Sequence, residues 1–126
     1  MTARIYAGAA RWLGRDETAR PGGLFRQAIG DDRWERLGGG FPDDVEVRAI
    51  AVHPRDAQII YAGTQYGPYR STDGGGRWKA LDLPDADMTV WSFLFHPRDP
   101  NVLYAGTAPA ALYRSDDGGD TWRRFP

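Results

Sequence analysis

Ten consecutive residues, Tyr69-Arg70-Ser71-Thr72-Asp73-Gly74-Gly75-Gly76-Arg77-Trp78, return 44 positions later as Tyr113-Arg114-Ser115-Asp116-Asp117-Gly118-Gly119-Asp120-Thr121-Trp122. A return at fixed offset is a repeat, and this one has the chemistry of a tight hairpin. An aromatic strand end leads into a Ser and an Asp whose oxygens accept turn N–H groups, then glycines free to take positive φ, then a Trp to bury. The same offset taken backwards finds Phe25-Arg26-Gln27-Ala28-Ile29-Gly30-Asp31-Asp32-Arg33-Trp34, which keeps the aromatic, the Arg and the Trp but loses the Ser and the first Asp. The chain therefore holds three copies, the first degraded.

A second signature travels with the first. Ala51-Val52-His53-Pro54-Arg55-Asp56 through Ile60-Tyr61-Ala62-Gly63-Thr64 is matched by Leu94-Phe95-His96-Pro97-Arg98-Asp99 through Leu103-Tyr104-Ala105-Gly106-Thr107, and Arg4-Ile5-Tyr6-Ala7-Gly8-Ala9 is the tail of a third copy. A period in the forties with several strands per period is the mark of a propeller-type array. Sixteen Gly, nine Pro, five Trp, six Tyr and five Phe among 126 residues agree, describing short strands joined by turns with little helix. The reading is an all-β chain of four-stranded antiparallel blades: 1–44 as a blade lacking its first strand, 45–87 as a complete blade, and 88–126 as another.

Naming strands A to D within a blade, the middle unit reads as Val45–Val52, Gln58–Gly63, Pro68–Ser71 and Arg77–Leu81. The last reads as Thr89–Phe95, Val102–Gly106, Ala111–Ser115 and Thr121–Phe125, and the first as Arg4–Gly8, Leu24–Gln27 and Trp34–Leu37, giving eleven strands. The A strands are nearly continuous apolar runs, Val47-Arg48-Ala49-Ile50-Ala51-Val52 and Val90-Trp91-Ser92-Phe93-Leu94-Phe95, which implies cover on both faces. Ala49, Ala51 and Ser92 suit the crowded inner end of a radial stack.

The Ser-x-Asp-x-Gly-x-Thr-Trp pattern, complete in Ser115, Asp117, Gly119, Thr121 and Trp122, resembles the Asp-box of the bacterial neuraminidase (BNR) repeat family. Ser71, Asp73, Gly75 and Trp78 match it as well, with Arg77 in place of Thr. That family includes sialidase-like, sortilin-like and photosystem assembly factor-like propellers and some xyloglucan-degrading hydrolases. The resemblance implies a β-propeller in which the boxes sit at the corners between strands C and D, opposite the sialidase active site, and serve structure. It implies no single activity, because the box occurs in enzymes and non-enzymes.

Balanced charge, 16 basic against 17 acidic side chains for a net −1, supplies no field that would gather nucleic acid or an anionic membrane. The absence of cysteine excludes a disulfide framework and a thiolate metal site. With no secretory-length apolar run at its start, the chain is expected to be cytoplasmic. No metal and no cofactor is expected: the acids Asp116, Asp117 and Asp120 offer too few oxygens for a calcium loop. His53 and His96, each before a Pro, read as rigid corners in successive blades, with no cysteine to serve as a nucleophile.

Two functions remain open. The first is non-catalytic binding or scaffolding, with ligand candidates Arg11, Trp12, Arg15 and Arg20 in the one long B–C connection and Arg48, Tyr66 and Trp91 on the same rim. The ligand would be a carbohydrate or a protein. The second is a glycoside hydrolase needing two carboxylates about 5–10 Å apart, for which the D–A loops offer Asp43, Asp44, Glu46, Asp82, Asp85 and Asp87. The sialidase Arg-Ile-Pro segment is absent, since Tyr6 follows Ile5. Propellers close with about four to eight blades, and each terminal blade here would expose roughly 300 Å² of sheet. The expectation is therefore head-to-tail association into a homo-oligomer, or an N-terminal piece of a longer propeller.

Overall fold

The computed structural model describes residues 3–10 and 22–126. Among the described residues eleven strands form three antiparallel sheets and there is no helix. The first sheet holds β1 (Arg4–Ala9), β2 (Gly23–Ala28) and β3 (Glu35–Leu37). The second holds β4 (Val47–Val52), β5 (Ile60–Thr64), β6 (Gly67–Ser71) and β7 (Lys79–Ala80). The third holds β8 (Thr89–Phe95), β9 (Leu103–Ala108), β10 (Ala111–Ser115) and β11 (Arg123–Arg124). Each sheet is a meander with strands in chain order, and within the second and third sheets every connection is a hairpin or a short corner. The strands begin and end within about two residues of the sequence reading, and β8 and β10 coincide with it.

The sheets stack face to face, and two apolar layers join them. Between the first and second lie Leu24, Leu37, Phe41, Val45, Val47, Ile60, Ala62, Tyr69 and Trp78. Between the second and third lie Tyr61, Leu81, Met88, Val90, Leu103, Ala105, Tyr113 and Trp122. Alternation along β5 explains the division: Ile60 and Ala62 face one neighbour, Tyr61 the other, and all five residues of the strand are buried. In β9, which has a neighbour on one side, Leu103 and Ala105 are buried while Tyr104 and Gly106 are only partly covered.

The expectation that A strands are covered on both faces is corrected. In β8, Ser92 and Leu94 are exposed, because among the described residues no sheet covers the outer face of the third, Trp91 is half-exposed at the rim, and β4 is only partly buried along most of its length. The strand with full cover is β5, whose Gly63 lets the next blade approach: a Cβ built there would stand 2.7 Å from the Val90 carbonyl oxygen.

Candidate functional site

The candidate rim is built where strand A begins. Val47 pairs with Thr64 and Ala49 with Gly63, leaving Arg48 in a bulge; Val90 pairs with Thr107 and Ser92 with Gly106, leaving Trp91 in the corresponding bulge. A bulge turns its extra side chain out of the pleat. Here the two meet across the blades, the Arg48 guanidinium carbon lying 4.5 Å from the centre of the Trp91 ring. Such a cation over an indole face is worth roughly 0.5–2 kcal/mol, more as it is desolvated.

Around this stack runs a polar network. Arg48 Nη2 donates to Glu46 Oε2 at 2.5 Å in a partly buried pair. The Glu46 N–H donates to Gln65 Oε1 at 2.7 Å, Gln65 Nε2 to the Asp44 carbonyl at 2.8 Å, and Tyr66 Oη to Asp44 Oδ2 at 2.6 Å. That last bond, by favouring the protonated phenol beside a carboxylate, raises the Tyr66 pKa above its ordinary value. Among the described residues Arg48 Nε is buried without a hydrogen-bond partner. On the other side of Tyr66 opens a cleft of about 370 Å³ lined by Pro68, Leu83, Asp85 and Met88 among others. Asp85 accepts from Tyr113 Oη at 2.5 Å and sits 3.4 Å from Arg124 Nη1.

Three of the seven ligand candidates, Arg48, Tyr66 and Trp91, are thus joined through one network, with Trp91 50% exposed. Arg11, Trp12, Arg15 and Arg20 lie outside the described residues. Sequence reasoning passed over Gln65, which ties the start of strand A to the β5–β6 corner; its only signal was its place beside Tyr66 in a short connection.

At the opposite end are the glycine-rich corners. Ser71 Oγ donates to Asp73 Oδ1 and accepts from the Gly75 N–H, while Asp73 Oδ1 also accepts from the Arg77 N–H at 2.9 Å. Ser115, Asp117, Gly119 and Thr121 repeat this, and the Thr121 hydroxyl adds a bond to Asp117 Oδ2 at 2.6 Å. Hydrogen bonds from Thr121 and Ser115 hold the Asp117 pKa down to about 2, and those from Arg77 N–H and Ser71 lower that of Asp73. Trp78 Nε1 and Trp122 Nε1 donate to the Gly75 and Gly119 carbonyls. Carboxylates so engaged in their own loops are bound to turn groups, not poised toward a cleft. At the third set of corners His53 Nδ1 accepts from the Arg55 and Asp56 N–H groups, and His96 Nδ1 from that of Arg98.

Antiparallel meander sheets, one of three strands and two of four among the described residues, stacked on shared apolar faces define the class: the chain is a partial β-propeller. No family model matches it. By sequence it is similar to the xyloglucanase Xgh74A of Acetivibrio thermocellus, at 29% identity over a gapped alignment of 154 positions that takes in 98% of this chain. The chain spans 18% of that relative's length. By structure it is similar to the GH74 xyloglucanase from Xanthomonas campestris (TM-score 0.67, 22% identity, 93% of this chain and 20% of that one). It is similar as well to YCF48 from Cyanidioschyzon merolae (TM-score 0.66, 19% identity, 95% of this chain and 40% of that one). At these identities the structural likeness shows the propeller fold.

Proposed function

We propose that the chain is a binding or scaffolding segment of an Asp-box propeller, without a catalytic centre of its own, and that it meets a carbohydrate ligand at the Arg48–Trp91 rim. The observation that supports this reading is the contrast in how the rim spends its groups. Asp44, Glu46 and Asp85, three of the acids a hydrolase would draw on, are each bound to a neighbouring Tyr or Arg, whereas the half-exposed Trp91 presents ring surface of the kind that packs on sugars. Titration with xyloglucan oligosaccharides, followed by tryptophan fluorescence, tests it: the expected result is saturable binding that Trp91→Ala abolishes, with no change in the chain length of the sugar.

A second reading is favoured by the similarity to a xyloglucanase: the segment belongs to a glycoside hydrolase whose cleft is completed by other blades. Release of reducing ends from xyloglucan, lost in Glu46→Gln or Asp44→Asn, would establish this reading and overturn the first.

A further inference from the structure

The outward face of the third sheet repeats, position for position, the face with which the first two sheets grip their successors. At the first junction Tyr6 Oη and Arg26 Nη1 donate to one oxygen, the Gly74 carbonyl, at 2.9 and 3.0 Å. At the second, Tyr61 Oη and Arg70 Nη1 converge on the Gly118 carbonyl at 2.5 and 2.9 Å. Gly74 and Gly118 hold φ of +74° and +72°, and each N–H is anchored within its own sheet, to the Gln58 and Asn101 carbonyls. The corresponding pair in the third sheet is Tyr104 and Arg114. With no carbonyl between them, Arg114 Nη1 donates to Tyr104 Oη at 3.1 Å.

Three further positions complete each seat. Gly8 and Gly63 lie so near the valine opening the next sheet that an added Cβ would stand 2.8 Å from the Val47 carbonyl oxygen and 2.7 Å from that of Val90. Leu37 and Leu81 close over Gly75 and Gly119, and Leu24 and Pro68 are buried beneath. In the third sheet these positions are Gly106, where an added Cβ would meet only the Ser92 side chain, Phe125 at 42% exposed and Leu112 at 41%. An apolar cleft of about 330 Å³ lies there, lined by Ser92, Leu94, Tyr104, Gly106 and Leu112.

The geometry points to this face as a docking surface for one occupant: a complete four-stranded blade of the same repeat. That blade sets an aliphatic side chain of its first strand over Gly106 and the carbonyl of its corner glycine between Tyr104 and Arg114. A second copy of this chain is the poorer fit: Ile29 stands where the other corners have Asp73 and Asp117, so its first corner lacks the carboxylate that holds those two turns.

The test appends a copy of residues 83–126 after Pro126, so that the added blade follows β11 as the third follows β7. The extended and 126-residue chains are compared by thermal unfolding and sedimentation. In the extended chain Tyr104→Phe and Arg114→Gln are expected to lower the midpoint by several degrees, as are Tyr61→Phe and Arg70→Gln at the existing junction. In the 126-residue chain Tyr104→Phe leaves the midpoint unchanged. Equal shifts from Tyr104→Phe in both chains, or none in the extended one, overturn the proposal, as does sedimentation showing a closed homo-oligomer of the shorter chain that Tyr104→Phe dissolves. Should the appended blade not fold, Gly63→Ala against Gly106→Ala in the 126-residue chain decides: a large loss at the first and little at the second upholds Gly106 as an open seat, and equal losses overturn it.

Discussion

Trp34 and Trp78 hold the same place in the repeat, after the same corner and before the same short strand, yet Trp34 is 48% exposed and Trp78 5%. The difference lies outside their own sheets. Trp78 has the first sheet in front of it and Phe41 of the intervening loop stacked on its ring at 4.9 Å, while no described residue stands in front of Trp34 in that way. Tyr61 and Tyr104 show the same asymmetry on the opposite face, one closed on a neighbour's carbonyl and the other turned to its own Arg114. Burial in this molecule is a property of the junction and not of the strand, so a mutation's cost should follow the presence of a neighbour.

The largest expected break in that comparison is at the tryptophans. Trp78→Ala should cost about 3–5 kcal/mol in denaturant unfolding, as deletion of a buried large side chain does, and Trp34→Ala about 1 kcal/mol or less. Next come the close approaches: Gly63→Ala must push its Cβ against a backbone oxygen at 2.7 Å, with an expected loss of about 1–3 kcal/mol, whereas at Gly106 the nearest atom is a serine hydroxyl able to turn away. Smaller again is Tyr61→Phe, which leaves Gly118 to Arg70 alone and should cost about 1 kcal/mol, with Tyr104→Phe near zero.

The smallest effect separates the two intact corners by acid. The Asp117 pKa lies below its ordinary 3.8, at about 2, so the stability this carboxylate adds is complete above pH 3.8 and is lost as pH falls toward 2. Asp117→Asn should therefore flatten the stability profile across that window. Asp73→Asn should flatten it less, since Arg77 offers no hydroxyl where Thr121 does. Both carboxylates are exposed, and solvent screening keeps the difference modest. Acid titration of the unfolding midpoint would check it.

Much of this was legible in the chain itself, for a physical reason: what repeats is local. The corner residues, the His-Pro turns and the strand pattern act within a few positions of one another, so their spacing alone placed the eleven strands and set Trp78 and Trp122 inside. What escaped depends on register or on a neighbour. The bulges that pair Arg48 with Trp91 exist only once strand A is laid beside strand B, and nothing in the apolar runs announces the slip. The Tyr and Arg that clasp Gly118 stand 57 and 48 positions from it; each is visible as a repeated residue, but its partner belongs to the next repeat. The apolar A strands told only half of the matter: composition marks a strand fit to be covered on both faces, and the blade count, not the strand, is what called for an open face at β8.

Native-state hydrogen exchange is the most direct measurement of stacked sheets that shield one another. The account predicts that the amides of β5, enclosed on both faces, exchange only through global unfolding, and that those of β1 and β9, each with an open face, exchange through cheaper local openings. Exchange in β5 as fast as in β1 or β9 would contradict it.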